Sequence, residues 1–271
     1  MNFNFSTLQT SHPSFFLIAG PCAIENEESS MLIAENINSI CCDLGIPFIF
    51  KASYRKANRT SYNSFTGIGD SKAISIIKKI KDKFDLPVTT DIHEAHEAQI
   101  VSDIVDIIQI PAFLCRQTEL IIAAAKTNKI VNIKKGQFMS GASMAFAAEK
   151  VRSTGNNKVI LTERGNSFGY ENLVVDMRNI PIMQGHACPV VLDCTHANQR
   201  PNQTSGVTDG TASHIALLAK AGIAAGADGL FIETHPHPNK ALSDARNMLS
   251  LDALRPLLEQ LLKIKKSLSD A

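Results

Sequence analysis

The segment Lys51-Ala52-Ser53-Tyr54-Arg55-Lys56-Ala57-Asn58-Arg59-Thr60-Ser61 carries four cations, four hydroxyl side chains and one amide, with no acid among them. Nearly all of these groups donate hydrogen bonds, and such a cluster suits an anionic, phosphorylated ligand. A solvated loop is the plain alternative. Position speaks against it. The segment follows the apolar run 46–50, which reads as a buried strand, and parallel α/β folds place their chemistry where strands end.

Other apolar runs end in the same way. Cys22, Asp91, His93, Gln109, Lys134, Lys135, Glu163, Arg164, Asp193, His196, Glu233 and His235 all follow or close such a run. Two sets emerge. Cys22, His196 and Glu233, with Asp244 eleven residues further on, combine a thiol, an imidazole and two carboxylates. That donor set suits a divalent ion of the Zn, Fe or Mn class. The same residues also have a structural reading: Cys22 as a small buried side chain, His196 as a hydrogen-bonded rim residue, Asp244 as a helix cap. His235 and His237 are competing ligands, or they shape a loop stiffened by Pro236 and Pro238. The second set is cationic: Lys51, Lys56, Arg59, Arg116, Lys134 and Arg164. So many charges facing one cavity repel one another unless an anion belongs there, although one or two can pair with Glu25, Asp91 or Glu163. Ser53 and Gln109 add neutral hydrogen bonds.

The elements that must position these groups are legible as a repeating pattern. Apolar, β-branched runs occur at 15–19, 46–50, 86–90, 107–110, 130–133, 159–162, 189–192 and 229–232. Stretches with helical spacing lie between them, at 31–44, 71–84, 119–125, 142–151, 213–225 and 251–268. Strands alternating with helices imply parallel strands joined by right-handed crossovers. Eight units in this length predict a single-domain (β/α)8 TIM barrel over 15–271, preceded by an extension, 1–14, that caps the barrel or is disordered. An open doubly wound sheet is the rival. No glycine-rich turn follows the first run, so a dinucleotide site is not expected.

Composition narrows the class of protein. The chain has 271 residues, 44% of them hydrophobic, and a net charge of +1. That balance points to neither nucleic acid nor a membrane surface. No apolar run reaches the ~18 residues of a membrane span. The stretch 1–14 lacks the basic-then-apolar pattern of a secretory signal, and six cysteines without a CxxC pair fit free thiols in a reducing cytoplasm.

Longer motifs carry a resemblance. They are Ala-Gly-Pro-Cys-Ala-Ile-Glu at 19–25, Phe-Lys-Ala-Ser at 50–53, Lys-Ala-Asn-Arg at 56–59, Thr-Asp-Ile-His-Glu at 90–94, Asn-Ile-Lys-Lys-Gly-Gln-Phe at 132–138, Thr-Glu-Arg-Gly at 162–165 and Phe-Ile-Glu-Thr-His-Pro at 231–236. In these the chain resembles the 3-deoxy-D-manno-octulosonate-8-phosphate synthases, also called 2-dehydro-3-deoxyphosphooctonate aldolases. The Lys-Ala-Asn-Arg run separates them from the related synthases that begin aromatic amino-acid synthesis. The resemblance implies a transferase in a cytoplasmic homotetramer. It would condense phosphoenolpyruvate with D-arabinose 5-phosphate and water, for the sugar of the lipopolysaccharide core. No organic cofactor is implied.

By matching position, the resemblance assigns phosphoenolpyruvate to Lys51, Ser53, Lys56, Gln109, Lys134 and Arg164. It assigns the pentose phosphate to Asn58, Arg59 and Thr60, with Arg116 reaching it from a neighbouring subunit. Lys51, Lys56, Asn58, His196 and Asp244 are the expected catalytic residues. Cysteine at position 22 implies the metal-dependent branch, with Cys22, His196, Glu233 and Asp244 as ligands across the rim from 51–61. The chain departs from the family pattern at Arg55, where aspartate is common, and at Thr60 in place of serine. It also departs in the loops 141–143 and 198–213. Arg55 is expected to be solvated.

Overall fold

The protein is described by a computed structural model covering residues 5–9, 15–59, 61–170, 172–200 and 209–269. Eight parallel strands form the centre: β1 (Phe16–Gly20), β2 (Phe48–Lys51), β3 (Val88–Asp91), β4 (Ile107–Ile110), β5 (Ile130–Lys134), β6 (Val159–Glu163), β7 (Val190–Asp193) and β8 (Gly229–His235). They pair in sequence order, and β8 pairs with both β7 and β1. The β1–β8 register runs from Phe16↔Gly229 to Gly20↔Glu233, so the sheet is closed. The fold is the predicted (β/α)8 barrel, and closure excludes the open doubly wound sheet.

Alternation along each strand divides the core into two layers. Phe16, Ile18, Ile49, Ile107, Ile130, Ile160, Val191 and Phe231 form one buried cluster. Their strand neighbours, Leu17 and Ala19 among them, join the larger cluster that includes helix residues such as Ile33 and Ile37. Strands buried on both faces read as continuous apolar runs, which is why all eight are visible in the sequence. The short helix Phe5–Gln9 adds Leu8, and part of Phe5, to the first cluster.

The helices are α1 (Glu27–Leu44), α2 (Asp70–Phe84), α3 (Glu97–Ser102), α4 (Thr118–Lys126), α5 (Met144–Arg152), α6 (Asn179–Gln184), α7 (Ile215–Ala224) and α8 (Leu254–Ser269). The local reasons are plain in α1. Asn26 caps its N-terminus by accepting the Ser29 N–H at 2.8 Å, and Gly45 ends it at φ 66°. Ile33, Ile37 and Cys41 recur every fourth residue on its buried face. Helical spacing does not reveal α3 and α6, since each has only six residues and α6 contains Pro181. Nor does it reveal two short antiparallel ribbons: Asn166–Phe168 with Asn172–Val174, and Gln199–Arg200 with Asp209–Gly210. No helix among the described residues is long and apolar enough to cross a membrane.

Candidate active site

The C-terminal ends of the strands surround a cavity of about 480 Å³. Lys51, Ser53, Lys56, Asn58 and Arg59 line it from the β2 side. Gln109, Lys134, Arg164, His196 and Asp244 complete the wall. Cys22 and Glu233 are fully buried and packed against that wall. Thr60 lies outside the described residues. Arg116 is exposed and does not line the cavity of its own chain, which corrects its expected place among the cavity cations. It follows the turn Ala112–Leu114, of which Ala112 and Phe113 do line the cavity.

Each side chain reaches the cavity because its strand stops there. β2 ends on Lys51, and Gly20 at the end of β1 permits close approach. A Cβ on Gly20 would stand 2.0 Å from the Lys51 carbonyl oxygen. An isolated parallel bridge between Ala23 and Ser53 continues the contact, and Ser53 N donates to the Cys22 carbonyl at 3.2 Å. Lys51 Nζ then donates to the Cys22 carbonyl at 3.2 Å, to Ser53 Oγ at 3.0 Å and to Glu233 Oε1 at 3.1 Å.

Three of the four expected metal ligands converge, and the fourth, His196, lies beside one of them. One donor atom each from Cys22, Glu233 and Asp244 fall within 4.8 Å of one another. His196 Nε2 lies 3.6 Å from Glu233 Oε1. The thiol of Cys22 donates to Asp244 Oδ2 at 2.9 Å and contacts Ser243 Oγ at 3.1 Å. Asp244 sits at φ 49°, a left-handed backbone that aspartate tolerates, and this turns its side chain inward. Glu233 Oε2 is buried without a partner. A thiol, an imidazole and two carboxylates around an unsatisfied buried oxygen fit a divalent cation. His235 is not part of the set: its Nδ1 accepts the His237 N–H at 3.0 Å and shapes the loop.

The position of the ligand cluster differs from expectation. It is not across the rim from 51–61 but beside it, because β1 lies between β8 and β2. Besides the Lys51–Glu233 pair, Lys56 Nζ is 3.7 Å from Asp244 Oδ2. Arg55, expected to be solvated, is half-buried and paired. It pairs with Glu97 of α3 and, at 3.3 Å, with Asp70 of α2.

Burial and charge compete throughout this site. Burial, then the Asp244 and Glu233 carboxylates, pushes the Cys22 thiol well above its usual range. Burial also opposes ionisation of Glu233 and Asp244, but His196 and Lys56 outweigh it and hold both carboxyls below the usual range. Desolvation pulls Lys134 and Arg164 down.

The cations are thus partly neutralised by acids. Lys134 pairs with Asp193, to which the sequence alone assigns a strand end but no role. Its Oδ2 accepts Lys134 Nζ at 2.5 Å and His196 Nδ1 at 2.8 Å. That fixes the imidazole with Nε2 toward Glu233, the arrangement by which an outer carboxylate orients a ligating histidine. The Asp193-x-x-His196 spacing is the available signal. Gln199 also escapes sequence reasoning. It accepts from Arg164 Nη2 at 2.8 Å and donates to Asp244 Oδ1 at 3.3 Å. Five atoms of cavity-lining residues are buried without partners: Arg59 Nε, Arg164 Nη1, Asp91 Oδ1, Gln109 Oε1 and Gln137 Oε1. Two orphan donors among several cations suit an anion in the cavity, and the orphan acceptors suit donor groups beside it.

A closed barrel with a cation-rich rim of this kind is an enzyme scaffold, and comparison with known proteins gives its family. Residues 7–270 match the DAHP synthetase I family. A 2-dehydro-3-deoxyphosphooctonate aldolase of Koribacter versatilis is 49% identical over 98% of this chain and 97% of its own. The protein of that name from Desulfatibacillum aliphaticivorans is 50% identical over 93% of both chains, and that from Geotalea uraniireducens is 50% identical over 90% of both. The chain belongs to the DAHP synthetase I family, alongside these aldolases.

Proposed function

We propose that this enzyme condenses phosphoenolpyruvate with D-arabinose 5-phosphate and water, giving 3-deoxy-D-manno-octulosonate 8-phosphate and phosphate for the lipopolysaccharide core. The observation that carries this reading is the cavity itself, where buried, partnerless Arg164 Nη1, Arg59 Nε and Gln109 Oε1 face a common space. Near-half identity along the whole length to aldolases of that name supports it.

Lys51, Ser53, Lys56, Gln109, Lys134 and Arg164 hold phosphoenolpyruvate by its carboxylate and phosphate. Asn58 and Arg59, with Thr60, take the pentose phosphate. Fixing both anionic handles sets the aldehyde carbon against C3, and this positioning replaces a bimolecular encounter. The C2=C3 electron pair forms the new carbon–carbon bond. Lys56 is the ammonium placed to give the new alkoxide its proton. Positive charge developing at C2 is met by water, whose proton goes to Asp244 or a phosphate oxygen. The C2 hydroxyl of the tetrahedral hemiketal phosphate then gives its proton back to Lys56, its oxygen forms the C2=O bond, and the bond from C2 to the phosphate oxygen breaks to release phosphate. Cys22, His196, Glu233 and Asp244 would hold a divalent ion of the Fe, Zn or Mn class, which would supply Lewis acidity toward the aldehyde or a water.

The barrel over 15–271 is read as the one catalytic domain, with 1–14 as its extension, working in the cytoplasm. The exposed Arg116 and the exposed aromatics Phe113, Phe138 and Phe168, on segments following β4, β5 and β6, support a homotetramer in which Arg116 serves a neighbouring cavity. Light scattering tests that assembly. Phosphate release tests the chemistry, with arabinose 5-phosphate or erythrose 4-phosphate, with and without chelator. Release that needs the pentose phosphate and returns with added metal is expected. Equal rates with erythrose 4-phosphate, or a covalent borohydride adduct, would sink the reading.

A further inference from the structure

Asp91, at the end of β3, is a buried carboxylate on the cavity wall that the chemistry above leaves unused. Its Oδ2 takes His93 Nε2 at 3.2 Å, while its Oδ1 is buried without a partner. A carboxylate with a free acceptor rejects phosphate and takes an O–H or N–H donor. Phosphoenolpyruvate carries no hydroxyl on carbon, whereas the aldose phosphate carries several. The unused acceptor therefore discriminates between the two substrates.

Asp91 is held from behind by a chain of charges reaching the outside of the barrel. His93 Nδ1 lies 3.6 Å from Glu97 Oε2. That oxygen accepts the His93 N–H at 2.6 Å and the Glu94 N–H at 3.2 Å. Glu97 Oε1 meets Arg55, whose other nitrogen is 3.3 Å from Asp70 at the start of α2. Tyr54 packs edge-on to His93, with ring centroids 6.2 Å apart, and lies beneath the Arg55 guanidinium. We propose that Asp91 Oδ1 binds a hydroxyl of the aldose phosphate, and that His93, Glu97 and Arg55 are positioning residues that hold it there. The identity of that ligand rests on the synthase reading; the network does not.

The groups facing His93 are Asp91, Glu97 and Arg55, with Tyr54 against its ring. Lys51 and Lys56 face Asp91. Burial lowers the His93 pKa, but Asp91 and Glu97 outweigh it and leave it raised, and Arg55 pulls it partly back. Removing the Glu97 charge must therefore move the imidazole titration to lower pH, and removing the Arg55 charge must move it to higher pH.

The test uses the full-length, metal-loaded enzyme with each substrate varied in turn. Asp91→Asn is expected to lower kcat/KM for arabinose 5-phosphate about tenfold to a hundredfold, the cost of one charge-assisted hydrogen bond, and to leave the phosphoenolpyruvate KM within about twofold. A pentose phosphate lacking the contacted hydroxyl should be a poor substrate of the parent enzyme and lose no further rate in Asp91→Asn. Arg55→Gln should give a smaller loss of the same selectivity, restored in part by Arg55→Lys. The basic limb of the kcat/KM profile should move down in pH in Glu97→Gln and up in Arg55→Gln. Equal changes for both substrates, or limbs moving the same way, overturn the proposal. If the parent enzyme makes no product from arabinose 5-phosphate, the synthase reading fails and takes the hydroxyl assignment with it. The network is then decided without substrate by NMR titration of His93, assigned with His93→Gln. Opposite displacements in the Glu97→Gln and Arg55→Gln variants support it, and any other pattern overturns it.

Discussion

Replacing Asp193 with asparagine removes one charge from the site and almost no volume. Asp193 is fully buried. Its Oδ1 accepts the N–H groups of Thr195 at 3.1 Å and His196 at 2.8 Å, and its Oδ2 holds Lys134 and His196. The change strands the ammonium of Lys134, which is itself buried and lies 3.6 Å from the centre of the Phe231 ring. Removing one partner of a buried ion pair costs about 3–5 kcal/mol. Two effects reduce that. Burial already pulls the Lys134 pKa down, so the lysine can shed its proton, and the new amide oxygen still accepts a hydrogen bond. A net loss of about 3 kcal/mol is therefore expected. Urea denaturation of the parent, Asp193→Asn, Lys134→Met and the double variant measures it. The two single changes should be coupled by more than about 1 kcal/mol.

The pH dependence follows from the sign of the shift. His196 and Lys134 overcome burial and hold the Asp193 carboxyl far below its usual range. A depressed carboxyl stabilises the fold fully above its unfolded pKa of about 3.9, and that contribution is lost as pH falls toward the native value. The gap between parent and Asp193→Asn should narrow steadily on acidification from about pH 5. Because the same carboxylate orients His196, metal affinity should fall about tenfold to a hundredfold. Single changes that add to within about 0.5 kcal/mol, with metal affinity unaltered, would refute the reasoning.

Three further outcomes follow from the same geometry. Arg164→Ala, which removes the orphan Nη1 donor, should raise the phosphoenolpyruvate KM about tenfold to a hundredfold with far less effect on the pentose, as initial rates would reveal. Cys22→Asn should lose bound metal on gel filtration, and a divalent ion at about a hundred times its Kd should stabilise the parent by about 2.7 kcal/mol in a thermal melt and the variant by less. Gly20→Ala forces a Cβ to within 2.0 Å of the Lys51 carbonyl oxygen, so it should destabilise by about 1–3 kcal/mol or more, with Lys51 displaced and activity lost together. A variant as stable and active as the parent would contradict the close approach of β1 and β2.

The barrel is legible because strands buried on both faces cannot hide their composition. The apolar runs stop short of the true strand ends, at 50, 90, 133, 162, 192 and 232, where the ladders continue to Lys51, Asp91, Lys134, Glu163, Asp193 and His235. Apolar patterning cannot see a strand residue that is polar because it faces a ligand. The short helix α3 is invisible for a related reason. Its buried Glu97 reads as a surface residue until Arg55, 42 positions earlier, is found beside it. Within the departing segment 141–143, a backbone contact is visible. Gly141 is buried against Asn179, whose Oδ1 accepts its N–H at 3.2 Å, and a Cβ there would stand 2.7 Å from that oxygen. What spacing cannot supply is adjacency: which carboxylate pairs with which lysine depends on neighbouring strands, and so Asp193 and Gln199 stay unassigned until the strands are placed side by side.

The proposed ligand set straddles the seam where the first strand meets the last, with Gly20 in register with Glu233. Cys22 leaves the ribosome more than two hundred residues before Glu233 and Asp244. A nascent chain therefore carries the thiol long before it owns either carboxylate, and it has no place to trap a stray ion. The pocket comes into being only when β8 docks, the contact of greatest sequence separation in the barrel and so the costliest in loop-closure entropy. An ion held there, as proposed, would act as a latch on a finished molecule. Amide hydrogens of the β1–β8 ladder should exchange more slowly once it is fastened.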